Sequence, residues 1–175
     1  MTLALAAALL LSSDSNAPAA GTPDTGANVA HAALDRLVGC WEAPGEVMGK
    51  RVATRVRAAW RLGGRYLLLE SHGLDPADPY DAAIVIGDHD GDRLGAWWMD
   101  SFGAGYSAAG KGQADGDGRL AIDYAYPDAL YANRLEPQGK GWRWTITARS
   151  PDGSEKPFAN YTLTPIKCDG TAFAF

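Results

Sequence analysis

The chain has 175 residues, of which 46% are hydrophobic and 21% charged, and this size and composition suit one soluble globular domain. Its net charge of −5 excludes the basic surface that binds nucleic acid or anionic lipid. Glycine (21 residues), proline (10) and tryptophan (6) are frequent, and this mixture of turn-forming and strand-favouring residues favours an all-β fold.

The N-terminal segment has the pattern of a secretory signal peptide. Residues 3–11 are apolar, too short a run to cross a bilayer as a helix, which takes about 20 residues. Small residues suited to cleavage follow at Ala17 and Ala20, although no lysine or arginine precedes the apolar run. We predict a signal peptide at 1–20, a spacer at 21–30 and a periplasmic or secreted location; the alternative is a cytosolic protein with an apolar tail.

A short helical entry around residues 30–37 is predicted to precede the strands. From there, turn-forming pairs such as Gly63-Gly64 and Asp75-Pro76 recur every 8 to 14 residues. They separate ten predicted strands, at 38–47, 51–61, 65–74, 80–88, 93–102, 105–113, 119–126, 130–137, 141–149 and 157–167. The domain is therefore expected to cover 31–168, followed by a tail at 169–175.

Residue alternation within these strands predicts how they assemble. Along 51–61, apolar and polar residues alternate strictly, with arginines on one face. Period-two alternation means that one face is buried and the other solvated. Ten consecutive hairpin-linked strands of this kind can each bury one face by forming an antiparallel up-and-down barrel. Such a barrel closes on itself and leaves no sheet edge.

Three short motifs carry a family resemblance. "LDRLVGCWE" at 34–42 contains a Gly-x-Trp on the first strand, as lipocalin and calycin barrels do, and "WRLGGRYLLLE" at 60–70 and "GAWWMDSF" at 95–102 follow it. In this order they resemble an uncharacterised bacterial domain-of-unknown-function family with a lipocalin-like barrel, over about residues 30–167. The resemblance implies a ten-stranded calycin-type barrel with a pocket, Trp41 plugging its closed end, and no established activity. The Cys40 of the motif and the tail "CDGTAFAF" depart from the family pattern.

The predicted function is to bind or carry a small hydrophobic or aromatic ligand in the lumen, without covalent catalysis or a cofactor. We expect a monomer or homodimer with no membrane span. In "WWMDSF" the two tryptophans face opposite sides, so one of them must lie outside the lumen. The residues predicted to line the pocket are Trp41, Trp60, Trp98, Asp100, Trp142, Trp144 and Tyr161.

An enzyme is the first alternative, for example an isomerase that uses Asp100 or the pair Glu70 and His72 as acid or base. Because Leu67 and Leu69 make the opposite face of that strand apolar, we expect Glu70 and His72 to lie outside the barrel. An outer-membrane barrel is disfavoured, since the arginine-bearing face of 51–61 offers no apolar outer band.

Haem binding is the second alternative, because the more distantly similar nitrobindin barrels bind haem through a histidine on a late strand. The corresponding segment here, "FANYTLTPIKC", has no histidine; the three histidines are His31, His72 and His89. No metal site is predicted either. "DHDGDR" at 88–93 begins like a calcium loop, but Met99 stands where the bidentate glutamate belongs.

Cys40 and Cys168 are predicted to form a disulfide. With an even number of up-and-down strands, the start of the first strand lies beside the end of the last, where these cysteines fall. Cys40 alternates away from Trp41, and Cys168 lies opposite in phase to Tyr161, so both sulfurs are expected on the outer side. An oxidising compartment would favour the bond.

Overall fold

The computed structural model describes residues 28–89 and 91–168, and in them the chain forms one closed barrel of ten antiparallel strands. Each strand pairs with its sequence neighbours, and β1 closes the barrel against β10. The predicted fold class is therefore confirmed. The strands are β1 Gly39–Val47, β2 Lys50–Arg61, β3 Tyr66–Gly73, β4 Asp81–Asp88, β5 Arg93–Asp100, β6 Ala108–Ala114, β7 Leu120–Ala125, β8 Leu130–Gln138, β9 Gly141–Arg149 and β10 Glu155–Ile166.

The strand bounds agree with the prediction to within two residues, except at the start of β6. The strand predicted at 105–113 begins only at Ala108, because Ala104–Tyr106 forms a 3-10 turn after Gly103, whose φ of 98° is one that side-chain-bearing residues rarely adopt. β10 begins at Glu155, earlier than predicted, and contains a bulge between Pro157 and Ala159. The predicted signal peptide, all of the spacer but its last three residues, and the tail from 169 lie outside the described residues.

The helical entry forms α1, Val29–Asp35. The Asn28 side chain caps it by accepting a hydrogen bond from the backbone N–H of His31 (3.0 Å). Leu34 and Leu37 are fully buried against one end of the barrel, which we call the closed end. Across the described part of the chain, no helix has the length and apolar character needed to span a membrane.

Trp41 fills the closed end beneath α1. Its indole is 5% exposed, and its Nε1 donates to the carbonyl of Leu37 (3.1 Å). Trp142 is 2% exposed, and the guanidinium of Arg36 lies 5.9 Å from the centre of its ring. The position of Trp41 at the closed end is the one that the family resemblance implies. Buried aliphatic side chains complete this half of the lumen: Leu67, Ile86, Leu94, Leu120 and Leu163.

The disulfide between Cys40 and Cys168 is present, and it joins residues 128 positions apart whose Cα atoms are 5.2 Å apart. Cys40 lies opposite Ile166 in the β1–β10 pairing, two residues before Cys168. The predicted pairing and even-stranded closure are therefore confirmed. Cys168 is exposed as expected, whereas Cys40 is only 2% exposed.

Candidate functional site in the upper lumen

The end of the barrel away from α1 is its mouth, formed by the loops at 74–80, 101–107 and 126–129. The half of the lumen below it, the upper lumen, contains aromatic rings together with polar side chains, whereas the closed end contains tryptophan and aliphatic side chains. Most come from strands whose alternation turns every second residue inward, and Tyr80 comes from the loop before β4. The upper lumen residues are Tyr80, Trp98, Asp100, Tyr124, Asn133, Trp144 and Tyr161.

Asp100, the last residue of β5, is the charged group of the upper lumen. Its Oδ2 accepts hydrogen bonds from the Tyr80 hydroxyl (3.3 Å) and from Trp98 Nε1 (3.2 Å). Its Oδ1 accepts from the backbone N–H of Phe102 (3.0 Å), which fixes the carboxylate at the start of the β5–β6 loop. No ion pair joins Asp100 to a lysine, arginine or histidine of the described ranges.

A continuous set of aromatic rings extends from Asp100 into the lumen. The Trp98 ring meets Tyr124 edge to face, with centroids 5.6 Å apart, and lies 6.0 Å from Trp144. Trp144 in turn lies 5.3 Å from Tyr161. Trp144 Nε1 donates to Asn133 Oδ1 (3.0 Å), so the buried indole N–H and the buried amide satisfy each other.

The pKa values of the tyrosines in this set are raised. Burial raises the pKa of Tyr80, and the negative charge of Asp100 raises it further. Burial likewise raises the pKa of Tyr124 and brings the pKa of Tyr161 to about 12. All three phenols are therefore neutral near pH 7 and available as hydrogen-bond donors, but they are poor bases.

A second set of rings, at the mouth, is half-buried. Tyr131 stacks edge to face with Tyr126 on one side (5.2 Å between centroids) and with Phe158 on the other (5.0 Å). The Tyr126 hydroxyl donates to the carbonyl of Tyr106 in the β5–β6 loop (2.8 Å), which links two of the mouth loops. These rings form an apolar rim above the upper lumen.

The predicted pocket residues separate into two groups. Trp98, Asp100, Trp144 and Tyr161 meet in the upper lumen, while Trp41 and Trp142 fill the closed end. Trp60 also lies at the closed end: its Nε1 donates to Asp35 (2.7 Å), and its ring stacks on His31 at 4.4 Å.

Sequence reasoning missed three residues of the upper lumen. Tyr124 and Asn133 alternate inward on strands that were predicted, so the same alternation could have identified them. Tyr80 lies just before β4, but it falls within the predicted strand 80–88 and in phase with the buried Ala82 and Ile84, so the alternation could have identified it as well.

The residues of the alternative functions are separated by the fold. Asp100 lies in the upper lumen, whereas Glu70 and His72 alternate with the buried Leu69 and Ser71 and point outward, and His72 Nδ1 is hydrogen-bonded to Asp81. His31 lies on α1 and His89 in the β4–β5 turn, so the described residues offer no lumen histidine to bind haem iron. Among the same residues, no group of three or more histidine, cysteine, aspartate or glutamate side chains is arranged to hold a metal ion.

Two depressions lie against the barrel wall. The larger, of about 460 Å³, is apolar; it includes the 45% exposed Trp97, the 42% exposed Met99 and Val85 on the outer face, and it also reaches Trp98 and the start of β6 at Ala108. The smaller, of about 150 Å³, is lined by charged residues such as Arg119 and Arg134. Trp97 is thus the tryptophan of the "WW" pair that faces away from the lumen.

Comparison with known proteins places the fold. No family model matches the chain, and no curated protein is similar to it in sequence. Among solved structures, Rv2717c from M. tuberculosis is similar with a TM-score of 0.61 and 14% identity, over 79% of this chain and 98% of that one. The S-type phycobiliprotein lyase CPES from Guillardia theta is similar with a TM-score of 0.57 and 11% identity, over 82% of this chain and 96% of that one. Both are lipocalin-like barrels, and at these identities the likeness establishes the fold.

Proposed function

We propose that the protein binds a small hydrophobic or aromatic molecule in the upper lumen, between the mouth and the ring pair Trp144 and Tyr161. The observation that carries the proposal is the contrast between the two halves of the barrel. The closed end is packed with tryptophan and aliphatic side chains beneath α1, whereas the upper lumen joins aromatic rings to fixed polar groups, the Asp100 carboxylate and the Asn133 amide. Ligand sites in proteins have this composition: apolar walls with a small number of placed polar atoms.

We expect ligand entry to displace rings at the mouth, because a half-buried set of packed rings forms the rim above the upper lumen. Tyr126, Tyr131 and Phe158 are half-buried, so displacing them exposes less apolar surface than displacing the core rings would. A bound apolar molecule then buries the newly exposed surface again by covering the same rings.

The fold supports the proposed ligand binding, and the disulfide supports the proposed location. Lipocalin-like barrels of this size enclose space for one small ligand. One structural neighbour is named as a phycobiliprotein lyase, and at 11% identity that activity is not carried over. The Cys40–Cys168 bond fits an oxidising compartment, so we place the protein in the periplasm or outside the cell.

A titration with the neutral fluorescent probe N-phenyl-1-naphthylamine tests the proposal. We expect the probe fluorescence to rise on binding to the wild type, and Tyr161→Ala to weaken binding by about ten-fold, because it removes one aromatic wall. The matched control is Trp97→Ala, which removes an exposed ring from the outer depression. If Trp97→Ala abolishes binding and Tyr161→Ala does not, the probe binds the outer wall and the proposed site is wrong.

A further inference from the structure

The upper lumen contains a negative charge, whereas the arginines near it lie on the outer face of the barrel. Asp100 brings a carboxylate into it, while the arginines of β2, among them Arg55 and Arg57, alternate onto the outer face. Of the cations at the mouth ends of their strands, Lys50 and Arg149 pair with Asp78 and Glu155, and the exposed Arg51 and Lys156 form no ion pair with Asp100. In the described residues, therefore, no cation of the chain neutralises this carboxylate.

The partners that Asp100 does have are all neutral donors. Tyr80, Trp98 and the Phe102 backbone hold its two oxygens in place, but they contribute dipoles and no opposite charge. The negative charge extends to its neighbours, because it raises the pKa of Tyr80 and, after burial, that of Tyr126. A partly buried carboxylate without a counter-ion is costly, and a ligand cation would offset that cost.

The aromatic walls add to the same preference. The face of an aromatic ring carries negative electrostatic potential and attracts a cation within about 6 Å of its centre. Trp98, bonded to Asp100 through Nε1, stands within 6.0 Å of Trp144 and 5.6 Å of Tyr124, measured between ring centroids. Trp98 presents its N–H edge to Asp100, so a positive group there would lie against the carboxylate and the attached apolar body would lie among the rings, whereas an anion such as a fatty-acid carboxylate would meet repulsion from Asp100.

We propose that the ligand of the upper lumen is an organic cation, a protonated amine or quaternary ammonium attached to an apolar or aromatic body. Its charged end lies against the carboxylate of Asp100, and its body contacts the rings of Trp98, Trp144 and Tyr161. This inference rests on the proposed function, since it names the chemical class of the molecule that the same site takes.

Three naphthalene compounds of similar size test the charge preference: (1-naphthylmethyl)trimethylammonium, 1-naphthylmethanol and 1-naphthylacetate. Isothermal titration calorimetry on the full chain is expected to give affinities in that order, with the cation at least about ten-fold tighter than the alcohol. Asp100→Asn, which keeps an oxygen to accept from Phe102, is expected to remove the cation's advantage and leave the alcohol's affinity within about two-fold.

Glu46→Gln is the control variant, because it removes one negative charge from an exposed position on β1 without touching the lumen. It is expected to preserve the cation preference, which separates the effect of Asp100 from that of the net charge of −5. Equal affinities for cation and alcohol, or an equal loss in both variants, would overturn the cation proposal while the proposed function stands. Failure of all three compounds to bind would overturn the proposed function itself.

Discussion

Truncation of Trp41 is the sharpest test of how the barrel is closed. The side chain is 95% buried and joins β1 to the entry segment through its bond to the Leu37 carbonyl. A tryptophan buries about 200 Å² of largely apolar surface, which at about 25 cal/mol per Å² corresponds to about 5 kcal/mol. Trp41→Ala should therefore lower the free energy of unfolding by about 3–5 kcal/mol, the range measured for large-to-small core truncations.

Urea unfolding with the disulfide intact, followed by far-ultraviolet circular dichroism, measures this loss. Because domains of this size are stable by only about 5–15 kcal/mol, Trp41→Phe provides a milder variant in case the alanine protein does not fold. It keeps an aromatic ring but leaves the Leu37 carbonyl without its partner, and we expect a loss of about 1–3 kcal/mol. Trp97→Ala, at a 45% exposed position, should cost less than either. If Trp41→Ala unfolds at the same urea concentration as the wild type, Trp41 does not close the barrel.

Three further predictions concern the disulfide, the buried tyrosines and the packing of neighbouring strands. Replacing both Cys40 and Cys168 by serine should lower the free energy of unfolding by about 4–5 kcal/mol in the chain-entropy model, and the unfolding midpoint should lose its sensitivity to reductant; an unchanged midpoint would show that the bond does not stabilise the barrel. Since burial raises the pKa of Tyr161 from its ordinary value of 10.0 to about 12, its contribution to stability is fully present below pH 10 and lost as pH rises through 12. Absorbance at 295 nm should show delayed tyrosine ionisation, and ionisation of every tyrosine near its ordinary pKa would contradict the burial. Gly112→Ala should destabilise by about 1–3 kcal/mol, because its Cβ would clash with the carbonyl oxygen of Ala121, whereas Gly116→Ala, with open space around it, should be near neutral; equal stabilities would refute the packing argument.

The barrel itself could be predicted from the sequence because its determinants are local. Hairpin turns such as "ADGDG" mark where each strand ends, and strict alternation marks which face is buried. Closure then follows from the strand count, and an even count places Cys40 beside Cys168. The boundary error at 105–113 has a local cause as well: "GAGYS" contains glycines that permit a 3-10 turn where alternation alone predicted a strand.

The candidate site could be predicted only in part. The alternation correctly predicts that Trp98 and Asp100 lie on the same face, but it does not give the position of a residue along the barrel axis. Trp41 and Trp144 were therefore grouped in one pocket, although α1 covers the first and the second lies toward the mouth. Tyr80 is in phase with the inward residues of β4, but its contact with Asp100 depends on the register in which β4 pairs with β5, which the sequence pattern does not give.

Indole N–H resonances offer the most direct test of where a ligand binds, because the six tryptophans lie in three different places. In a ¹⁵N–¹H correlation spectrum, addition of (1-naphthylmethyl)trimethylammonium or the neutral N-phenyl-1-naphthylamine should shift the Nε1–H signals of Trp98 and Trp144 in the upper lumen. The signals of Trp41 and Trp142 at the closed end, and that of Trp97 on the outer wall, should stay in place. A shift confined to Trp97, or no shift of any tryptophan at saturating probe, would contradict a ligand site in the upper lumen.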